Sequence, residues 1–445
     1  DRLRSRGLGD VYKRQGLLSI STTTMQYIIS APAEPLHTGI QLPASKSISN
    51  RALILHALAR GTQELHNLSD CDDTRVMINA LQGNPEHIDI LAAGTAMRFL
   101  TAYLSVTPGT RIITGTQRMQ QRPIRILVDA LRELGADIEY VGNEGFPPLR
   151  ITGRELQGDE ISLAGNVSSQ YISALLMIGA VLPKGLHLHL TGEIISRPYI
   201  NLTLQLMRDF GARAEWISDN SITVHPGGYR DVSFTVESDW SAASYWYQML
   251  ALSGSNKDKE EEDNAQKLPP EVELFGLFPH SYQGDSRGAE IFSRLGVRTE
   301  YTGNGVRLTK TDVTVERLTE DMVDIPDLAQ TFVVTCCLMN IPFRFTGLQT
   351  LKIKETDRIT ALITELKKLG YVVRSEQDSI LLWDGERCMG EDSPVISTYE
   401  DHRMAMAFAP ASMVLPEVRI DEPQVVSKSY PAYWEDLAKA GFLMW

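Results

Sequence analysis

The chain has 445 residues, 43 Lys and Arg against 56 Asp and Glu, a formal net charge of −13, and 43% hydrophobic against 22% charged residues. That composition is the one of a soluble globular protein long enough for several separately cored domains, and it excludes a largely disordered chain. It also argues against a general binder of nucleic acid or anionic membrane, so any anionic ligand has to be met by a local cluster of cations.

Residues 1–24 start basic and lack a long apolar run; they are expected to be a non-native extension rather than a signal peptide, with Met25 as the start. No stretch approaches the roughly 18 apolar residues of a membrane span. Cys71, Cys336, Cys337 and Cys388 are too few and too irregular for a disulfide framework or a zinc site, and are expected as reduced thiols in the cytoplasm.

The first chemistry-bearing stretch is Leu42–Arg51, in which Lys46, Ser47 and Arg51 precede the apolar helical run Ala52–Ala59. A Ser-rich turn entering a helix can present backbone N–H groups and the positive helix end to an anion, and the two cations add formal charge. The glycines of a P-loop are absent, and a capped surface helix is the plainer reading. Ala92–Arg98 places small residues, Gly94 and Thr95 among them, at a loop-to-helix start where backbone can approach a ligand closely; a tight turn is the alternative. Gln121–Ile124 sets Arg122 just before another helix. In Gly165–Tyr171 the side chains of Ser168, Ser169 and Gln170 suit sugar hydroxyls or phosphate oxygens, although Ser-Ser is also an ordinary N-cap.

Further on, Ser253–Pro270 is polar and charge-rich and is expected to be an inserted surface loop. Ile325–Asp327 puts a carboxylate after a proline-fixed turn. Lys354–Arg358 packs two acids between two cations; read as helix, it sets Lys354 and Arg358 on one face with Glu355 about 100° away. Such a face could grip a phosphate or carboxylate while Glu355 transfers a proton, and a salt-bridged helix is the bland alternative. Asp401–Met404 repeats the acid-plus-cation theme at Arg403, and Lys428 stands in a polar turn.

Between these clusters one pattern recurs: an amphipathic helix ends at a glycine and runs into a strand. The junctions are Gly135, Gly211, Gly296 and Gly370, at intervals of 76, 85 and 74 residues, with a weaker copy over 437–442. Removing a loop of roughly a dozen residues from the longest interval leaves a repeat near the mid-seventies, a small α/β unit.

The ordered strings KSISNR, GTAMR, QRPI, VSSQY, SRPYI, IPD, KETDR and DHRMA span Lys46 to Ala405, with Lys428 beyond them, and together they resemble the EPSP synthase family of enolpyruvyl transferases. The resemblance covers essentially the whole chain after Met25. It implies an α/β fold, a two-domain inside-out barrel built from repeated βαβαββ units, with residues 25–44 plus 239–445 in one domain, 45–238 in the other, and the active site in the cleft between them. It implies transfer of the enolpyruvyl group of phosphoenolpyruvate to the 5-hydroxyl of shikimate 3-phosphate, with no cofactor and no metal, by a cytoplasmic monomer that is the glyphosate target. The family match places shikimate 3-phosphate on Lys46, Ser47, Arg51, Ser168, Ser169, Gln170, Ser196, Tyr199, Asp327 and Lys354. It places phosphoenolpyruvate on Lys46, Gly94, Thr95, Arg122, Gln170, Arg358, Arg403 and Lys428. Asp327, Glu355, Lys46 and Lys428 are the expected catalytic groups.

Three positions depart from the family pattern: Ala92 and Thr350 stand where Asn is common, and Phe99 where Pro is usual. The alternatives are the related transferase acting on UDP-N-acetylglucosamine and a non-catalytic relative that binds a phosphometabolite. The acceptor serines and retention of both Asp327 and Glu355 disfavour them.

Overall fold

The computed structural model describes residues 25–83, 85–254 and 269–445. The expected extension 1–24 and nearly all of the expected insertion lie outside the described residues.

The junction glycines mark real turns. Helices Arg125–Glu133, Arg197–Asp209, Gly288–Arg294, Arg358–Lys368 and Tyr433–Lys439 each end just before a glycine whose φ lies between +84° and +105°, and a strand follows. Only glycine enters that left-handed region without steric cost. In four of the five, the next N–H returns to a carbonyl of the last turn, as in Ala136 N to Leu131 O at 2.9 Å and Ala212 N to Met207 O at 2.9 Å. This bond caps otherwise unsatisfied carbonyls and aims the chain back along the helix.

One sheet plan is built on these junctions. Leu318–Asp321 runs parallel to Phe343–Thr346, which pairs antiparallel with Ile380–Trp383, itself antiparallel to Arg374–Glu376. The same order recurs over residues 87–153 and 160–224. It is a βαβαββ unit, the parallel pair being joined by a helix because a parallel connection needs a long crossover. Two further sheets complete the plan with strands from the start of the chain: His37–Gln41 lies beside Glu271–Phe275, and Gln26–Ser30 sits between Val418–Asp421 and Leu443–Met444. The sixth sheet is reduced to Leu65–His66 beside Phe234–Thr235.

The layers are reversed from the usual α/β arrangement. Every residue of Ala329–Leu338 is buried, and so is every residue of Trp240–Leu252 except Ser241. Helices apolar all round belong in the interior. Strands such as Glu160–Ala164 instead alternate exposed and buried residues, leaving one sheet face in water.

The buried apolar residues form two clusters, one drawn from Ala44 to Val236, the other from Ile29 to Leu42 and Trp240 to Phe442. Where the chain passes between them, Ala44 bridges Ser238, Ser45 N donates to Glu237 O at 2.8 Å, and Asp239 N donates to Pro43 O at 2.9 Å. Two helix starts therefore stand side by side. Ser45 caps Lys46–Leu58, and Asp239 caps Trp240–Leu252 by accepting from Ser241 N at 2.7 Å and Ala242 N at 3.2 Å.

One local expectation is corrected. Lys354 and Arg358 do not share a helix face: a 3-10 turn covers Gln349–Ile353, Lys354 is extended, and the α-helix begins at Arg358. Asp357 is the reason, since its carboxylate accepts from Thr360 N at 3.1 Å and starts the helix there. Lys354 and Glu355 are consequently turn residues, free to point separately into the cleft.

Candidate active site

A cleft opens where the two cores meet. The helices Lys46–Leu58, Gly94–Val106, Ser169–Gly179, Arg197–Asp209, Trp240–Leu252, Arg358–Lys368 and His402–Phe408 all begin at or beside residues that line it. Each helix start carries partial positive charge and unpaired N–H groups, so their convergence favours anions before any side chain is counted.

The lining cations are Lys46, Arg51, Arg122, Lys354, Arg358 and Arg403, against the acids Asp73, Asp239, Asp285, Asp327 and Glu355. In a chain of net charge −13 this is a locally cationic surface. Lys46 Nζ lies 3.3 Å from Asp73 Oδ2 and donates to Lys428 O at 3.3 Å, joining the two cores. Burial alone would lower its ammonium, but Asp73, Cys71 and Glu355 outweigh that and hold it above the ordinary value. Arg51 is anchored by Thr203 Oγ1 at 2.7 Å, Ser47 O at 2.9 Å and Ser173 Oγ at 3.1 Å, and burial pushes it down to about 10. Phe99, the unusual residue after the GTAMR string, places its ring 5.2 Å from that guanidinium, a cation–π contact. The Arg122 side chain makes no hydrogen bond or ion pair with the described residues and is a cation ready for a ligand.

Arg358 and Arg403 hold the acids. Arg358 is 1% exposed and reaches Asp401 Oδ2 at 2.7 Å, Asp327 Oδ1 at 3.1 Å and Glu355 Oε2 at 2.9 Å. Arg403 reaches Asp327 Oδ2 at 3.0 Å, and Lys354 Nζ lies 3.4 Å from Asp327 Oδ1. Asp327 also accepts from Tyr199 Oη at 3.1 Å. Burial would raise both carboxyls; for Asp327 the nearby Arg403, Lys354 and Arg358 outweigh it, and for Glu355 chiefly Arg358, so each lies well below its usual value. Both are therefore held in the ionised form.

The neutral side chains of Ser47, Ser168, Ser169, Gln170, Ser196 and Tyr199 stand along the same wall, with Gln170 Nε2 donating to Thr95 Oγ1 at 3.1 Å. Gly94 matters for its missing side chain, because a Cβ there would lie 2.8 Å from Arg122 Nη1 and 3.0 Å from Arg98 Nη1. Every residue expected at the site thus lines the cleft except Lys428. Its side chain turns away to donate to Glu400 O at 2.7 Å, while its own carbonyl takes the Lys46 hydrogen bond and its neighbour Ser429 lines the cleft.

Several lining residues escaped the sequence reading, among them Asp73, Asp239, Ser241, Asp285 and His402. The signals were slight: an acid pair opening the helix Asp72–Leu81, and a glycine between two polar residues at 283–285. Arg118 also reaches over from the other core to donate to the backbone carbonyl of Glu355. Among the described residues no group of three His, Cys, Asp or Glu is placed to hold a metal ion, and no helix is long and apolar enough to cross a membrane.

Fold and cleft together define a two-core α/β protein whose site is built to receive small anions. The sequence model of EPSP synthase (3-phosphoshikimate 1-carboxyvinyltransferase) matches residues 31–83 and 81–437. A Bacteroides fragilis protein named 3-phosphoshikimate 1-carboxyvinyltransferase is 70% identical over 418 residues, covering 94% of this chain and 98% of its own. One of the same name from Erwinia tasmaniensis is 36% identical over 434 residues, covering 91% and 96%. In fold, the chain is similar to the structure of EPSP synthase from Acinetobacter baumannii, with TM-score 0.74, 21% identity, and coverage of 95% of this chain and 100% of that one. The chain belongs to the EPSP synthase family.

Proposed function

We propose that this cleft transfers the 1-carboxyvinyl group of phosphoenolpyruvate to the 5-hydroxyl of shikimate 3-phosphate, releasing inorganic phosphate. The carrying observation is that seven helix starts, six cations and two ionised acids from both cores converge on one cleft. Shikimate 3-phosphate would lie on Ser47, Arg51, Ser168, Ser169, Gln170, Ser196, Tyr199 and Lys354, with Asp327 beside its 5-hydroxyl. Phosphoenolpyruvate would place its phosphate near Lys46, Arg122 and the Gly94–Thr95 backbone, and its carboxylate on Arg358 and Arg403, whose planar forks suit it. Lys428 joins the phosphate by swinging off Glu400.

In this reading Asp327 takes the hydroxyl proton as the oxygen bonds to C2 of phosphoenolpyruvate, and Glu355 gives a proton to C3, which becomes a methyl group. The tetrahedral adduct then returns a methyl proton to the Glu355 carboxylate as the C2–C3 double bond re-forms and the C2–O bond to phosphate breaks, and Lys46 meets the charge on the departing phosphate. We assign residues 25–44 and 239–445 to one domain and 45–238 to the other, following the two cores. Closure of one on the other would exclude water. Because one chain completes the cleft, we read the enzyme as a monomer, working in the cytoplasm.

The test is phosphate release from phosphoenolpyruvate with shikimate 3-phosphate or UDP-N-acetylglucosamine as acceptor. Release with the former alone is expected, falling at least about a hundredfold in Glu355→Gln with KM little changed. Release with the sugar nucleotide alone would replace this acceptor assignment.

A further inference from the structure

Asp285 lines the cleft, is 5% exposed, and belongs to none of the motifs that the reaction uses. Its Oδ2 accepts from Ser241 Oγ, while Oδ1 has no hydrogen-bond partner. Ser241 Oγ in turn lies 3.5 Å from Arg403 Nη2. A hydroxyl has one proton, and here that proton is committed to Asp285, so the oxygen lone pairs are left to face the guanidinium.

The segment bearing Asp285 is fixed on three sides. Gln283 Nε2 donates to Glu237 Oε1 at 2.9 Å and to Ser238 O at 2.8 Å, and its Oε1 accepts from Trp240 N at 3.1 Å. This ties the segment to the chain crossing and to the helix that carries Ser241. Gly284 packs against Pro198 so closely that a Cβ would stand 2.6 Å from the proline Cβ.

Arg403 has a competing partner in Asp327, 3.0 Å from the same Nη2. To turn Nη2 onto a ligand carboxylate it must loosen its hold on the Asp327 carboxylate, and it is then steadied by Ser241 Oγ and by the Asp327 backbone carbonyl, which accepts from Nη1 at 3.2 Å. We propose that Asp285, acting through the Ser241 hydroxyl, is a positioning residue that holds the Arg403 guanidinium where it grips the carboxylate of phosphoenolpyruvate. The inference rests on the reading that Arg403 binds that carboxylate.

Charge on Asp285 is not what the device requires. The groups facing Asp285 are Asp239, Asp327, Tyr199 and Arg403; burial first, then Asp327, raises its carboxyl to about 7, against the pull of Ser241 and Arg403. An entering anion favours the neutral acid, whose carbonyl oxygen still accepts from Ser241. Asparagine should therefore replace it, and leucine should not.

The experiment is steady-state kinetics on Asp285→Leu, Asp285→Asn, Ser241→Ala and Arg403→Lys, with a melting curve for each. Asp285→Leu and Ser241→Ala are expected to raise KM for phosphoenolpyruvate about tenfold, the loss of a hydrogen bond near a charged group, with KM for shikimate 3-phosphate within about twofold of the parent. Asp285→Asn should stay within about threefold for both substrates. If Asp285→Leu does not fold, the Ser241→Ala and Asp285→Asn pair decides the matter alone. An unchanged KM for phosphoenolpyruvate in Ser241→Ala, or equal loss for both substrates, overturns the proposal. An unchanged KM in Arg403→Lys would instead overturn the Arg403 assignment on which it rests.

Discussion

Arg358 and Asp401 pair where water is excluded: their side chains are 1% and 0% exposed, and Nε meets Oδ2 at 2.7 Å. The same carboxylate accepts from Arg403 N at 3.0 Å and caps the helix His402–Phe408. Asp401 thus orients both arginines assigned to the phosphoenolpyruvate carboxylate without lining the cleft itself. Removing one partner of a buried pair strands the other's charge. Asp401→Ala should destabilise the protein by about 3 kcal/mol, the low end for such a break because Asp327 and Glu355 still flank Arg358. Asp401→Asn, which keeps a cap acceptor, should lose less. Urea unfolding midpoints check both, and equal stability of all three proteins would contradict this role.

Gly94 gives a prediction of opposite character. The first helical turn accepts alanine as readily as glycine, so Gly94→Ala should leave the melting temperature nearly unchanged. Its methyl group would nonetheless push on the Arg122 guanidinium, 2.8 Å away. A rise in KM for phosphoenolpyruvate of about tenfold is expected, with KM for shikimate 3-phosphate steady. Loss of affinity for both substrates alike would show a general distortion instead.

Charge balance predicts proton uptake on binding. The cleft walls carry six cations and five acids, whereas the two phosphates and the carboxylate of phosphoenolpyruvate bring about −5. Arg358 cannot serve a ligand carboxylate and hold Glu355 as tightly as before, and the ligand's own negative charge disfavours a carboxylate beside it, so the Glu355 carboxyl must rise past its ordinary value toward the working pH. This change also turns an ionised group into a competent proton donor. Calorimetric titration of phosphoenolpyruvate onto enzyme holding a 5-deoxy acceptor, at pH 8 in two buffers of different ionisation heat, should report net uptake. The uptake should shrink in Glu355→Gln. Identical values in the variant would remove Glu355 from the account.

His402 sets a pH dependence of stability. It is 1% exposed, its ring nitrogens make no hydrogen bond, and burial, then Lys46 and Arg403, hold its imidazole well below the ordinary value. Below an unfolded pKa of about 6.5 the unfolded chain binds a proton that the folded chain refuses, so stability falls as the pH drops, by up to about 1.4 kcal/mol per pH unit. Asp285, raised to about 7, works in the opposite direction, since the folded state then binds the extra proton. The comparison must therefore be between variants. His402→Phe should flatten the loss of stability between pH 6.5 and 5.5 relative to the parent. An unchanged slope in denaturant titrations would show that His402 accepts a proton while folded.

Much of this protein was legible in local sequence. Each glycine at a helix end needs only its own φ to be recognised, and the N-caps at Ser45, Ser168 and Asp357 are made within three residues. Motifs at helix starts announced an anion site for the same reason, because the helix terminus is a local property of the backbone. Partner choice and protonation were not legible. Lys46 meets Asp73 and the Lys428 carbonyl, Ser241 meets Asp285, and Arg358 meets Asp401, pairs separated by tens to hundreds of residues. Only the packing of the two cores brings these groups together. Electrostatic strength depends on distance and exclusion of water, so the ionisation of Glu355, the turning aside of Lys428 and the burial of His402 were decided by tertiary structure.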